Sequence, residues 1–201
     1  GLVFCSGTAI MMLEMVAIRV IAPFFGADFY VWTLLIGIIS LGLSVGYGWG
    51  GKMADQIVDY VKLGRIILIA AILVSFIRVV DIPILLFIHQ HGPKDTRWDT
   101  LLATLALFFI PSLLLGMIFP YTARFALKHL SKAGSMVGNL YAFSTLGSIV
   151  GTFMTGFFLL SWLGHAWVLT LISWLLCLGT WLLIQEAKSQ NYSATQIQTE
   201  L

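Results

Sequence analysis

Between Phe29 and Gly51 the sequence FYVWTLLIGIISLGLSVGYGWGG runs without a charged residue. At about 1.5 Å of helix rise per residue, that length crosses a hydrocarbon core of about 30 Å. The stretch predicts a membrane-spanning helix. Within it Gly42, Gly46 and Gly50 recur at every fourth position and so share one stripe of the helix. Lipid tails are as apolar as leucine, so helices in a bilayer associate by close packing, and a glycine stripe lets a neighbouring backbone approach. The stripe therefore predicts contact with another helix, with a glycine-lined substrate path as the other reading.

The rest of the chain repeats this character. Of 201 residues, 59% are hydrophobic and 10% charged, against about 25% charged in soluble domains. Mean hydropathy is +0.96. Six spans are expected, at about 2–24, 29–51, 65–88, 101–121, 138–163 and 165–184, giving an all-α membrane protein. Short connections predict that successive helices are antiparallel neighbours. The longest loop, about 88–100, is too short for a soluble domain. The tail 185–201, QEAKSQNYSATQIQTEL, is polar and aperiodic and is expected to be flexible. The apolar run starts at Gly1 with no initiator Met and no basic flank, which suggests a trimmed or processed chain and shows no signal peptide.

Basic residues set the expected orientation. Lys52, Lys62, Arg65, Arg124, Lys128, Lys132 and Lys188 fall on one side, while only Lys94 and Arg97 fall on the other. The positive-inside rule then places both termini in the cytoplasm. Phe29, Tyr30, Trp32, Trp98, Trp162 and Trp167 mark the outer boundary, and Tyr47, Trp49, Tyr121, Tyr141 and Trp181 the inner one. A net charge of +2 without a basic patch gives no reason to expect a nucleic-acid partner.

Four ionisable residues lie inside expected spans: Glu14, Arg19, Arg78 and Asp81. Each costs about 2.5–3.5 kcal/mol at a helix centre on insertion scales, so such groups turn inward and pair. Arg78 and Asp81, at i and i+3, share a face, whereas Glu14 and Arg19 need partners elsewhere, and Glu14 with Arg78 is the expected interhelical pair. The set serves either as a cation or proton relay and substrate counter-charge, or as a neutral pair fixing helix register. Pro83 and Pro111 are expected to kink their helices. His89 and His91 with Asp95 form too sparse a donor set to predict a metal, and His129 and His165 fall at interfaces. Cys5 and Cys177 sit in apolar runs. No phosphate loop, metalloprotease, nucleophile-elbow or C-x-x-C motif is present, and no cofactor is expected.

A three-plus-three repeat is suggested by Gly147 and Gly151, which echo Gly42 and Gly46, and by Pro23 and Pro120 at the ends of spans one and four. Beyond these patterns the chain resembles a known family. Glu14, Arg19, Pro23, Gly26, Trp32, Gly42, Gly46, Gly50, Gly51 and Asp55, with the runs 111–120 and 138–157, are similar to the membrane region of bacterial membrane-bound spermidine-synthase-like proteins, the fused major-facilitator/spermidine synthase group. The resemblance covers spans one to five. It implies a bacterial inner-membrane location, a major-facilitator-like half and a cytoplasmic aminopropyltransferase-like domain after the helices, and no such domain follows residue 184 here. Gly51 and Asp55 more loosely match the cytoplasmic turn of the major-facilitator superfamily, implying a capping or pairing role for Asp55. Two functions are therefore expected: a transport or channel-like module, acting as an oligomer on small cationic amines, or a non-catalytic subunit anchoring other membrane chains or a separate cytoplasmic synthase-like protein. Enzyme activity ranks third, since no nucleophile, metal cage or cofactor site can be named.

Overall fold

A computed structural model describes residues 1–56, 59–126 and 133–199. Lys128, His129 and Lys132 lie outside the described residues. The described residues contain no strand. Six helical rods account for nearly all of them: α1 Leu2–Phe25, α2 Phe29–Gln56 and α3 Tyr60–His91 are continuous. Rod α4 joins Thr96–Thr104, a π-turn Leu105–Phe109, and Ile110–Ala126. Rod α5 joins Ala133–Phe153, a π-turn Met154–Leu159, and Leu160–Trp162. The last, α6, is Gly164–Thr199. All six are long and apolar enough to cross a membrane.

Helix ends follow local chemistry. Gly26 (φ 83°) ends α1 and Gly164 (φ 73°) separates α5 from α6, both in the left-handed region that glycine enters without strain. Asp59 and Asp95 cap α3 and α4: each accepts a hydrogen bond from the backbone two residues on, Val61 N at 2.8 Å and Arg97 N at 2.9 Å. The cap at Asp95 starts α4 inside the expected 88–100 loop. Helix α3 continues through Pro83, while the π-turn of α4 ends two residues before Pro111, whose missing N–H already interrupts the regular ladder. Beyond Ile184, where a flexible tail was expected, α6 continues as helix to Thr199.

Packing departs from the expectation of successive neighbours. The principal pairs are α2 with α4, α1 with α5, and α3 with α6. Backbone approach selects them. A Cβ on Gly42 would sit 2.8 Å from the Phe109 carbonyl oxygen, one on Gly46 would overlap the Leu113 carbonyl, and one on Gly50 would sit 2.7 Å from Met117 Cα. Likewise, Gly147 abuts the Phe4 carbonyl and Gly151 the Thr8 carbonyl. These contacts advance together along both helices, so the α2–α4 and α1–α5 pairs each run parallel.

The two parallel pairs are related by a constant shift. Gly46 and Gly50 correspond to Gly147 and Gly151, 101 positions on, while their partners Leu113 and Met117 correspond to Phe4 and Thr8, 109 positions back. Gly7, which abuts the Ser144 carbonyl, matches Gly116, which abuts Leu43, at the same shifts. Exchanging α1–α3 with α4–α6 thus carries one interface onto the other and returns the α3–α6 pair to itself. The register differs from the sequence expectation by one turn: Gly147 echoes Gly46, not Gly42. Pro23 and Pro120, only 97 apart, are not equivalent. The most buried rods are α1 and α4, each half of the exchange contributing one.

Gly46 and Gly48 test this packing side by side, because a Cβ on Gly48 meets nothing within 4 Å. Gly46→Ala should destabilise the detergent-solubilised protein by about 1–3 kcal/mol through overpacking. Gly48→Ala should be neutral or stabilising by up to about 1 kcal/mol, as expected for an open helix position. Unfolding of both variants in one detergent provides the comparison.

Candidate functional site

Polar side chains gather on the α3–α6 seam. Ser75, Arg78 and Asp81 recur every third residue of α3 and share a face, while antiparallel α6 presents Ser173, Thr170, Trp167 and His165 in the opposite order. The Ser75 hydroxyl donates to Ser173 Oγ at 2.8 Å. Ser173 in turn donates within reach of the Ala71 carbonyl at 2.9 Å and the Leu169 carbonyl at 3.1 Å. Arg78 Nη1 donates to Thr170 Oγ1 at 3.1 Å, and its guanidinium lies 5.1 Å from the centre of the Trp167 ring. Asp81, whose side chain is only 4% exposed, faces His165 at 3.5 Å between Oδ2 and Nε2 and accepts from Ile82 N at 2.7 Å. An apolar groove of about 380 Å³ runs beside the serine pair, between Leu68, Ile72, Phe76 and Val79 of α3 and Cys177 of α6.

Two of the four charges anticipated from sequence therefore meet on one seam, without meeting each other. Arg78 turns to Thr170 and Trp167, and Asp81 to His165, so neither the Arg78–Asp81 nor the Glu14–Arg78 pair forms. The reason is geometric. Thr170 and His165 on α6 stand directly across from α3, whereas α1 meets α3 over only a short contact.

Glu14 is half-buried, and among the described residues it has no ion-pair or hydrogen-bond partner. It lies two turns beyond Gly7 on α1, which places it on the stripe facing α5. Across that interface the π-turn of α5 carries Thr155, fully buried, with its hydroxyl unpartnered. Arg19 is exposed. At the other end of the bundle Asp55 pairs with Arg124 at 3.7 Å, joining α2 to α4, and a Cβ on Gly51 would just reach Pro120 at 3.9 Å. His91 stacks on Phe87, and His89 lies against Phe25.

Ser75, Thr170, Ser173 and His165 were not among the functional residues read from sequence. Serine and threonine satisfy themselves on their own helix, as Thr170 does on the Ala166 carbonyl at 3.1 Å, so nothing local marks them. The i, i+3 spacing of Ser75, Arg78 and Asp81 was the available signal. The chain matches no family model, no curated protein and no solved structure. None of these comparisons bears on the resemblance to the spermidine-synthase-like membrane region, which rests on the quoted sequence positions alone.

Removing His165 leaves Asp81 buried with one backbone donor. A double-mutant cycle on Asp81→Ala and His165→Ala should give a coupling of about 0.6 kcal/mol and no more than about 1.7 kcal/mol, the average and the maximum for interhelical polar contacts in a bilayer. Denaturation of the four proteins in mixed micelles measures it.

Proposed function

We propose that this chain is a membrane transport or channel-like module for small cationic amines, working as an oligomer, with both termini in the cytoplasm. The observation that carries the reading is Glu14: an acid within a central rod, half-buried, with no partner among the described residues. An intramembrane acid without a counter-ion is costly, and its usual use is a cation or proton path. The two exchange-related halves suit a transporter, since inverted three-helix repeats place substrate sites near the bilayer midplane, where the halves meet. An amine cargo draws its support from the family resemblance, and so does likeness to one half of a twelve-helix major-facilitator transporter.

Arg78 favours a second reading, in which the chain is a subunit of a larger membrane complex. It lies near the centre of α3 yet is exposed, and among the described residues it is held by Thr170 and Trp167 alone. A guanidinium at that depth costs about 2.5–3.5 kcal/mol on insertion scales, which another chain could offset by covering it.

Flux of radiolabelled putrescine into vesicles containing the purified protein tests the first reading. Wild type should transport, and Glu14→Gln should lose about tenfold or more of the rate, a change of about 1.4 kcal/mol in a barrier. No flux above empty vesicles, or unchanged flux in the variant, would overturn it and direct attention to copurifying subunits.

A further inference from the structure

The link between α3 and α4 closes a pocket of about 330 Å³ that neither reading uses. It is lined by Phe24 and Phe25 from the end of α1, His89 from the end of α3, Lys94 from the link, and Thr96 and Asp99 from the first turn of α4. Asp99 is only 4% exposed, and its Oδ1 has no hydrogen-bond partner. That oxygen is pressed against Gly92, where any Cβ would overlap it. With Oδ1 sealed against Gly92, a ligand in the cavity can reach only the other carboxylate oxygen, and a buried carboxylate with no ion pair is ordinarily one that takes a donor there.

The one ammonium on the pocket wall does not supply it. Lys94 is exposed, and no ion pair joins it to Asp99. Its backbone has φ 60°, a conformation that glycine and asparagine enter more readily than lysine. The pocket wall thus carries a negative residue and a positive residue with no ion pair between them. His89, also on the wall, adds a second nitrogen donor, and two phenyl rings supply an apolar surface.

We infer that this pocket binds a small zwitterion bearing an apolar arm, of the α-amino-acid type. Its ammonium pairs with Asp99, its carboxylate with Lys94 and His89, and its side chain lies on Phe24 and Phe25. A bare amine would meet the repulsion of Lys94 without gaining its attraction, and a bare carboxylate would meet that of Asp99. The volume is at the lower end of small-molecule sites, which suits a ligand of this size. The site is independent of the transport reading, because it lies at the α3–α4 link and involves neither Glu14 nor the α3–α6 seam.

Equilibrium binding of radiolabelled leucine to the purified full-length protein is the test, with butylamine and butyrate as competitors. Saturable binding is expected, displaced by excess leucine and by neither single-charge analogue. Loss of one charge-assisted contact should weaken affinity by about tenfold or more in Asp99→Asn and in Lys94→Asn. Lys94→Asn keeps a residue suited to the backbone turn, so the result stays readable if the Asp99 variant folds poorly. No saturable leucine binding by wild type, displacement by butylamine alone, or unaltered affinity in Lys94→Asn would overturn the assignment. Because binding is measured without flux, its outcome is separate from that of the vesicle experiment.

Discussion

The fold depends on helix backbones coming closer than side chains normally permit. At Gly46 and Gly147 the space that a Cβ would need is occupied by a carbonyl oxygen of the neighbouring helix. In water a core of large apolar side chains would hold such rods together, but lipid removes that driving force and leaves dispersion and short polar contacts. Glycine serves both. Close approach multiplies van der Waals contacts and brings hydroxyls within reach of the opposite backbone: Thr8 donates to the Gly147 carbonyl at 3.0 Å. The choice of partner follows, so α1 packs on α5 and α2 on α4 although the connecting links are short.

That constraint also explains what could be read from the sequence and what could not. The six rods were legible because uncharged runs of sufficient length have few alternatives in lipid. Their ends were less so: α2 reaches Gln56 and α3 begins at Tyr60, since interfacial residues such as Lys52 and Lys62 keep a helix going after hydropathy has fallen. The start of α4 was missed although Asp95, with Asp99 one turn later, is a helix-start pattern. Partner choice was half legible. The stripes were visible, but which carbonyl each glycine meets depends on a register that a one-turn shift leaves looking equally good.

The seam between α3 and α6 was hidden for a different reason. A serine in a membrane helix carries no sequence signature of what lies across from it, and Ser75 acquires meaning only when Ser173 is found 2.8 Å away. His165 looked interfacial because it begins a span, yet the same position brings it to Asp81 once α6 runs antiparallel to α3. Arg78 and Asp81 share a face by spacing, and Glu14 was the partner expected for Arg78; spacing on one helix does not say which residues stand across the seam, where Thr170 and His165 are found.

Symmetry separates scaffold from chemistry in this molecule. The exchange that maps Gly46 onto Gly147 and Gly116 onto Gly7 does not map the charges. At the same shifts Asp55 corresponds to Gly156 and its partner Arg124 to Met15, so the ion pair between α2 and α4 has no counterpart between α5 and α1. Glu14 takes the place of Ala123. Both interfaces are built on the same backbone approach, yet the ion pair stands at one and Glu14 at the other. The charges are thus placed independently of the exchange that relates the glycines, which is why the repeat in the packing gives no guide to where they lie.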